Sequence, residues 1–446
     1  MKLLKKYDIG VVGLGYVGLT LATVLAEVGY SVLGVEKRKE IVDLTNKGEP
    51  HFSEAGLKDV LDRVVSQKSL VASEIFEDNV SCSTYIITVG TPLSKDGFAR
   101  LDFIEEATRQ VANNMTDGAL IILRSTVKIG TVRNIVSPIL KSTGKNFDIA
   151  MCPERTLEGS ALKELRELPQ IVGADTQFVA DRASKVFKRI TNSIVEVSSL
   201  ESAEIIKLVD NTFRDVQFAF ANEIARLCDV FGVNAFEVIN MGKLGYVRTN
   251  LPLPGLVGGP CLEKDPHILF QSAKDHGIDL EITQAARLVN ERQPSETMSF
   301  IKLEASKRGL PHDIKITIMG MAFKGLPETN DLRGSMSVHV LDELLKIYPY
   351  AEICLYDPVI TSNELKLAFP NQTVLDDQEK SIRGSSVLII ANNHPSLKSL
   401  SISQIKSLMK SNGFIYDYWN HFSNLTKLEI GDSYFAVGNS KRHLNE

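Results

Sequence analysis

Cysteine is scarce in this chain, with five among 446 residues: Cys82, Cys152, Cys228, Cys261 and Cys354. An odd, widely spaced set fits a reducing compartment better than a disulfide framework. Histidine is thin too, at eight, and forms no HExxH run or Cys/His cluster. No metal site is therefore expected. There is no long basic run and the net charge is -5, so bulk charge points to no nucleic-acid partner. No apolar run is long enough to span a membrane. The opening residues, Met1 to Lys6, contain no signal-peptide core and lead straight into a strand. A cytoplasmic location is expected. What remains is an ordinary globular composition, 43% hydrophobic and 24% charged. A chain of this length suggests about three domains.

One cysteine stands in unusual company. The stretch Gly255, Gly258, Gly259, Pro260, Cys261, Lys264, Asp265 sets a thiol among glycines, with a base and an acid just behind it. Glycines let the backbone turn sharply and approach a bound group. Lys264 would favour the thiolate, the reactive form. Asp265 is suited to orienting or deprotonating a partner. The competing reading is a buried, inert cysteine in a tight loop. The window alone leaves both open.

The first half supplies a cofactor site. Residues 7–12 read as a buried strand, followed by Gly13, Gly15 and Gly18, an apolar helix over 19–28, and a second strand over 31–35 with Glu36 at its end. Strand, glycine fingerprint, helix, strand and acid together form a dinucleotide unit. Gly13 makes the turn, Gly15 admits the pyrophosphate, and Gly18 packs helix on strand. The pyrophosphate lies on the helix N-terminus. Glu36 accepts the ribose hydroxyls and disfavours a 2'-phosphate, so NAD is preferred to NADP. Lys37 and Arg38 pull the other way. Further strands over 85–89, 120–123 and 148–151 place Thr91, Thr126, Glu154 and Glu158 at carboxyl ends, where ligands bind. Taken singly, each of these four also reads as a turn or helix cap.

The pattern over 201–231 is helical and apolar around most of its circumference, as in a helix buried between domains or subunits. A polar stripe of Lys207, Asn211 and Arg214 or Asp215 interrupts it, with Asn222 further on. Such a stripe is costly inside unless it serves a site. The alternative is an ordinary exposed face. Lys207 and Asn211 are suited to stabilise an oxyanion. The last third holds a second α/β unit: strands over 314–319, 352–356, 387–391 and 414–416, and a helix over 336–347. Asp357 sits like the acid of a nucleotide site, but the full glycine fingerprint is absent. Lys324 and Arg333 suit a diphosphate. The polar tail, 438–446, reads as frayed.

Assembled in order, these motifs resemble the UDP-glucose/GDP-mannose dehydrogenase family over nearly the whole chain. The matching residues are Gly13, Gly15, Tyr16, Val17 and Gly18; Pro153 and Glu154; Lys207 and Asn211; Gly258, Gly259, Cys261, Lys264 and Asp265; and Gly320, Phe323, Lys324, Asp331 and Arg333. The family oxidises the C6 alcohol of a nucleotide sugar to a carboxylate with two NAD. The resemblance implies two Rossmann-like, doubly wound parallel-sheet domains, 1–198 for NAD and 301–446 for the UDP-sugar. A central helical dimerisation segment, 199–300, joins them and carries the cysteine loop. It implies Cys261 as nucleophile through a thiohemiacetal and a thioester, and Lys207 and Asn211 as oxyanion donors. Asp265 and Thr126 position a water, and Glu158 is the general acid/base. Cofactor contacts fall on Gly13, Gly15, Tyr16, Val17, Gly18, Glu36, Thr91, Thr126 and Arg333. Substrate contacts fall on Glu154, Arg155, Leu157, Glu158, Lys207, Asn211, Arg248, Asn250, Gly258, Phe323 and Lys324. Arg248 reaches a neighbouring subunit's substrate, so a homodimer or higher homo-oligomer is implied.

The stretches Cys152 to Gly159, Asn211 to Asp215 with Phe218 to Glu223, and Arg248 to Asn250 look like the branch that acts on UDP-N-acetylhexosamines, UDP-ManNAc or UDP-GlcNAc, in surface-polysaccharide precursor synthesis. That branch often carries Gly-His-Cys-Ile-x-Val-Asp, whereas here Pro260, Leu262 and Lys264 intervene. UDP-glucose and GDP-mannose are alternative substrates. A two-electron hydroxyacid dehydrogenase would need neither Cys261 nor a second nucleotide domain. A non-catalytic NAD sensor would not need Lys207, Asn211, Cys261 and Asp265 together.

Overall fold

A computed structural model describes residues 5–94, 96–425, 429 and 431–440. The tail expectation falls partly outside these, at 441–446. The described chain forms two compact units, Met1–Asp210 with His267–Asp279, and Asn211–Pro266 with Leu280–Glu446.

The first unit is built on an eight-stranded sheet. Its strands are β1 (Lys5–Val12), β2 (Val32–Val35), β3 (Leu70–Ser73), β4 (Val80–Ile87), β5 (Ala119–Leu123), β6 (Phe147–Met151), β7 (Gln170–Gly173) and β8 (Ile194–Val197). Their order is β3-β2-β1-β4-β5-β6-β7-β8. Neighbours run parallel except β6 and β7, which meet antiparallel at Met151 and Gly173. The central strands are apolar runs buried along their whole length, such as Ala119–Leu123, as a parallel sheet covered on both faces requires. Helix Tyr16–Glu27 packs Leu19, Leu21, Val24 and Leu25 into that core. It stops at Gly29, whose φ of +95° no ordinary residue tolerates well.

The second unit repeats the plan with six parallel strands. These are β9 (Lys315–Met319), β10 (Glu352–Tyr356), β11 (Thr373–Val374), β12 (Val387–Ile390), β13 (Phe414–Asp417) and β14 (Tyr434–Ala436). Their order, β11-β10-β9-β12-β13-β14, is the doubly wound arrangement. Ser335 caps the helix Met336–Ile347 by accepting from the N–H of Ser337. Its residues Met336, Val340, Leu341 and Leu344 cover Ile316 and Ile318 of β9. Helices Glu281–Glu291 and Gln293–Lys307 precede the sheet.

The chain passes between the units within one continuous helix, Leu200–Phe231. The expectation that this helix is apolar nearly all round meets a physical complication. Phe213, Phe220 and Phe231 are exposed, as are Ile205, Val209 and Leu227. These residues form a stripe at helical spacing.

Candidate active site

The turn after β1 shows three glycines with three different jobs. Gly13 has φ +91°. A Cβ on Gly18 would fall 1.8 Å from the carbonyl oxygen of Gly13, so only glycine lets this helix sit on its strand. A Cβ on Gly15 would meet nothing within 4 Å. That open space lies at the N-terminus of helix Tyr16–Glu27, where backbone N–H groups favour a pyrophosphate. Glu36, at the end of β2, accepts from the N–H of Leu14 at 3.0 Å and from Arg38 Nε at 3.0 Å. Burial alone would raise its pKa, but Arg38's hydrogen bonds and charge hold the carboxyl below its usual value. Lys37 pairs with Glu106. Both basic neighbours of the acid are thus tied to carboxylates. These residues fit the adenosine half of NAD.

The strand ends beside this turn carry the other candidates of the first unit. The Thr91 hydroxyl, after β4, donates to the carbonyl of Thr126, after β5. Glu154, after β6, is buried against Arg124 with Oε2 3.0 Å from Nε, and its other oxygen accepts from the N–H groups of Arg155 and Thr156, each at 2.7 Å. Burial would raise its pKa, but Arg124, the Thr156 N–H and the charge of Lys207 outweigh it and lower the value. Arg155 reaches Asp210 at 3.2 Å and the Pro169 carbonyl at 2.6 Å. The N–H of Leu157 donates to Glu164. Glu158 is buried. The loop carrying Glu158 is held by a residue the sequence did not single out. Glu54 accepts from the N–H groups of Gly159 and Ala161, each at 2.8 Å, and from the Tyr16 hydroxyl. Tyr16 thereby links the dinucleotide turn to the Glu158 loop, while Val17 beside it is half-buried.

Glu204 was also missed. It lies one turn before Lys207 on the same helix. Its carboxylate accepts from the N–H groups of Gly130 at 2.6 Å and Val132 at 2.9 Å, holding the segment that follows Thr126. Burial pushes its pKa from 4.5 to about 7 against the pull of those two N–H groups. The sequence signal was an acid on the polar stripe of a mostly apolar helix. Lys207 and Asn211 are both buried and stand one helical turn apart.

In the second unit Asn211 donates through Nδ2 to Asp265 at 2.5 Å, joining residues far apart in the chain. Asp265 is fully buried, and its other oxygen takes the Lys264 ammonium at 2.6 Å. The charge of Lys264 therefore goes to Asp265. Cys261 lies on the one-turn helix Gly259–Leu262 and is exposed, while the other four cysteines are buried. The glycines beside it serve protein packing. A Cβ on Gly258 would fall 2.3 Å from the Gly334 carbonyl oxygen, and one on Gly259, whose φ is +90°, would fall 2.4 Å from the Phe323 ring. The N–H of Gly259 donates to Gly334 at 2.7 Å. The cysteine loop thus rests on the loop after β9 that carries Phe323, Lys324 and Arg333. Lys324 lies 5.3 Å from the Phe323 ring centre, and Arg333 pairs with Asp331 through Nε at 2.8 Å. Arg248 and Asn250 are exposed, with Arg248 5.6 Å from the Tyr246 ring. The structure joins them to none of the other candidates. Among the described residues no group of three His, Cys, Asp or Glu is arranged around a metal. No described helix is long and apolar enough to cross a membrane.

Three models of the UDP-glucose/GDP-mannose dehydrogenase family match: the NAD binding domain over residues 7–191, the central domain over 201–292 and the UDP binding domain over 317–424. A UDP-N-acetyl-D-mannosamine dehydrogenase of Pyrococcus horikoshii is 33% identical over 408 residues, 90% of this chain and 93% of that protein. The solved structure of UDP-D-ManNAc dehydrogenase from Pyrococcus horikoshii superposes with a TM-score of 0.87 at 31% identity, covering 97% of this chain and 100% of the other. A UDP-glucose dehydrogenase from Pyrobaculum islandicum gives 0.85 at 26% identity, covering 98% and 99%.

Proposed function

This chain belongs to the UDP-glucose/GDP-mannose dehydrogenase family, and we propose that within it the substrate is a UDP-N-acetylhexosamine, UDP-ManNAc first. It is an NAD-dependent nucleotide-sugar dehydrogenase. The observation that carries the covalent, four-electron reading of its chemistry is the exposed thiol of Cys261 in a loop whose neighbours Asn211 and Asp265 are buried and paired. The likeness to the Pyrococcus horikoshii UDP-N-acetyl-D-mannosamine dehydrogenase supports the choice of sugar.

NAD supplies the hydride acceptor, twice for each sugar. In the first oxidation Glu158 takes the proton of the C6 hydroxyl as C6 becomes an aldehyde. The Cys261 thiolate adds to that carbonyl carbon, and the carbonyl oxygen becomes the oxyanion of a thiohemiacetal. Lys207 and Asn211 donate to this oxygen, buried where such donors act in low dielectric. Loss of the second hydride leaves a thioester on Cys261. Asp265 and Thr126 hold the water that attacks it, releasing the carboxylate and the thiolate. Four electrons leave the sugar in total. Glu154, Arg155, Leu157, Gly258, Phe323 and Lys324 shape the substrate side, and Thr91, Thr126 and Arg333 the cofactor side.

The working particle is a homodimer or higher homo-oligomer, with residues 199–300 as the joining segment. Support comes from the exposed stripe of Ile205, Val209, Phe213, Phe220, Leu227 and Phe231, since a free protein rarely leaves such a stripe in water. Arg248 and Asn250, exposed in the single chain, then belong to the neighbour's site. A second substrate reading, UDP-glucose, is favoured by the fold likeness to the Pyrobaculum islandicum enzyme. Rates with UDP-ManNAc, UDP-GlcNAc, UDP-glucose and GDP-mannose, together with NADH formed per sugar, test the proposal. It expects two NADH and the highest kcat/KM with UDP-ManNAc. One NADH per sugar, or none, overturns the four-electron reading.

A further inference from the structure

The cysteine loop is held from beneath by a charged group that the chemistry above does not use. Arg287 lies on helix Glu281–Glu291 and is only 2% exposed. Its Nη1 donates to the Leu262 carbonyl at 2.8 Å and its Nη2 to the Val257 carbonyl at 3.1 Å. Those two carbonyls bracket Gly258, Gly259, Pro260 and Cys261. Asp215, fully buried on helix Leu200–Phe231, accepts from Arg287 Nη1 at 2.6 Å and balances its charge. Asn290 donates to the same Asp215 oxygen at 2.9 Å and to the Asp215 carbonyl at 3.0 Å. Two residues before Val257, Asn222 clamps Gly255 on both sides, accepting from its N–H at 2.9 Å and donating to its carbonyl at 3.1 Å.

We propose that Arg287 is a positioning residue for the Cys261 thiol, fixing the loop at both ends so that the sulfur is presented at one place. The inference rests on the covalent role of Cys261 given above. The loop has little means of holding itself. Two of its residues, Gly258 and Gly259, are glycine, and its one-turn helix, Gly259–Leu262, leaves carbonyls without partners inside the helix. The planar guanidinium satisfies one such carbonyl and the loop's other end together. Packing of the two helices does not require this arrangement, because a buried ion pair is a poor source of stability compared with apolar residues of similar size. The same groups are well suited to specifying one loop conformation.

The test uses the full chain with Arg287→Met/Asp215→Asn, which removes both charges together, and with Arg287→Lys, which reaches at most one carbonyl. Three quantities are read: kcat, the KM for UDP-sugar and NAD, and the rate at which iodoacetamide alkylates Cys261, followed by peptide mass. The double variant is expected to lose about 100-fold in kcat, as a misplaced reacting group does, with each KM within about threefold. Its Cys261 alkylation rate should change at least about fivefold. Arg287→Lys should fall between it and the wild type. A folded double variant with native kcat and native alkylation overturns the proposal. So does a failure of every variant to fold, since the network would then be structural only. An active Cys261→Ala enzyme would sink the covalent reading alone, and the alkylation rate still decides for or against Arg287.

Discussion

The two sheets of this protein share the order of six strands, β3-β2-β1-β4-β5-β6 and β11-β10-β9-β12-β13-β14, and differ in the turn after the first strand of each. Gly13 and Gly320 stand at corresponding points after β1 and β9, with φ of +91° and +87°. Each turn is followed from the next strand by an acid, Glu36 or Asp357. In the first unit the acid takes one turn N–H, that of Leu14, and the next residue is Gly15, with open space above it. In the second unit Asp357 takes four backbone N–H groups. Met321 at 2.7 Å and Ala322 at 2.9 Å share one oxygen, and Val359 at 2.8 Å and Ile360 at 3.0 Å share the other. Ala322 is buried where Gly15 is open. The first turn leaves donors and space for a pyrophosphate. In the second, the acid's hydrogen-bonding capacity is taken up within the protein. The expectation that Asp357 sits like a nucleotide-site acid matches its place in the topology, while its hydrogen bonds make it a structural brace. A shared fold therefore does not carry a shared ligand mode.

The sharpest way to separate the units is at Cys261. Cys261→Ala should cut turnover from the alcohol by about 10⁴-fold or more, the scale of removing a nucleophile. NAD titration should remain native, because the fingerprint lies in the other unit. Cys261→Ser should accumulate an ester visible by intact mass, and near-native uronate production by Cys261→Ala would break the division of labour. Lys207→Ala comes next, with an expected loss of about 2.7–4 kcal/mol in transition-state stabilisation, read as kcat. Gly15→Val then probes the open turn directly. A Cβ there meets no protein atom within 4 Å, so the melting temperature should hold while the KM for NAD rises by about 10–100-fold. An unchanged KM would remove the pyrophosphate from that space.

Asp357→Asn should act on stability instead. One carboxylate oxygen becomes a donor, leaving two buried N–H groups without an acceptor, at about 2–4 kcal/mol in a denaturant titration. Glu36→Gln should cost less and mainly weaken discrimination against NADP. The smallest effect is linked to pH in the first unit. The pKa of Glu204 rises from 4.5 unfolded to about 7 folded. Its stabilising contribution is present below about pH 4.5 and is lost as pH rises through 7. Glu204→Gln should flatten that dependence by on the order of 2 kcal/mol. Identical melting profiles from pH 4.5 to 8 for the two proteins would remove Glu204 as the source.

Much of this was legible along the chain. The expected strands over 148–151, 314–319 and 352–356 and the helix over 336–347 lie within a residue of those observed. The strands over 315–319 and 352–356 are buried over most of their length, and the helix is capped with one buried face. The strands over 170–173 and 194–197 were not anticipated. Four residues with an exposed Val195 and half-buried ends, as in the second of these, carry too little periodicity to stand out. Tyr16 was placed at the cofactor, but its bond to Glu54 spans 38 residues and the link from Glu54 to Gly159 spans 105, and neither leaves a local trace.

What the sequence determined by itself was the local chemistry. A glycine spacing demands one backbone shape, an acid closes the strand beside it, and a cysteine among glycines reads as either an exposed or a buried thiol. These depend on neighbours a few residues away, so they survive in one dimension. The tertiary structure alone decided which buried polar groups meet. Asn211 could have faced water, and Arg287 had no evident partner. Folding set one against Asp265 and the other beneath the cysteine loop. A buried donor must find an acceptor wherever the chain brings one, and that choice is made by packing between distant segments.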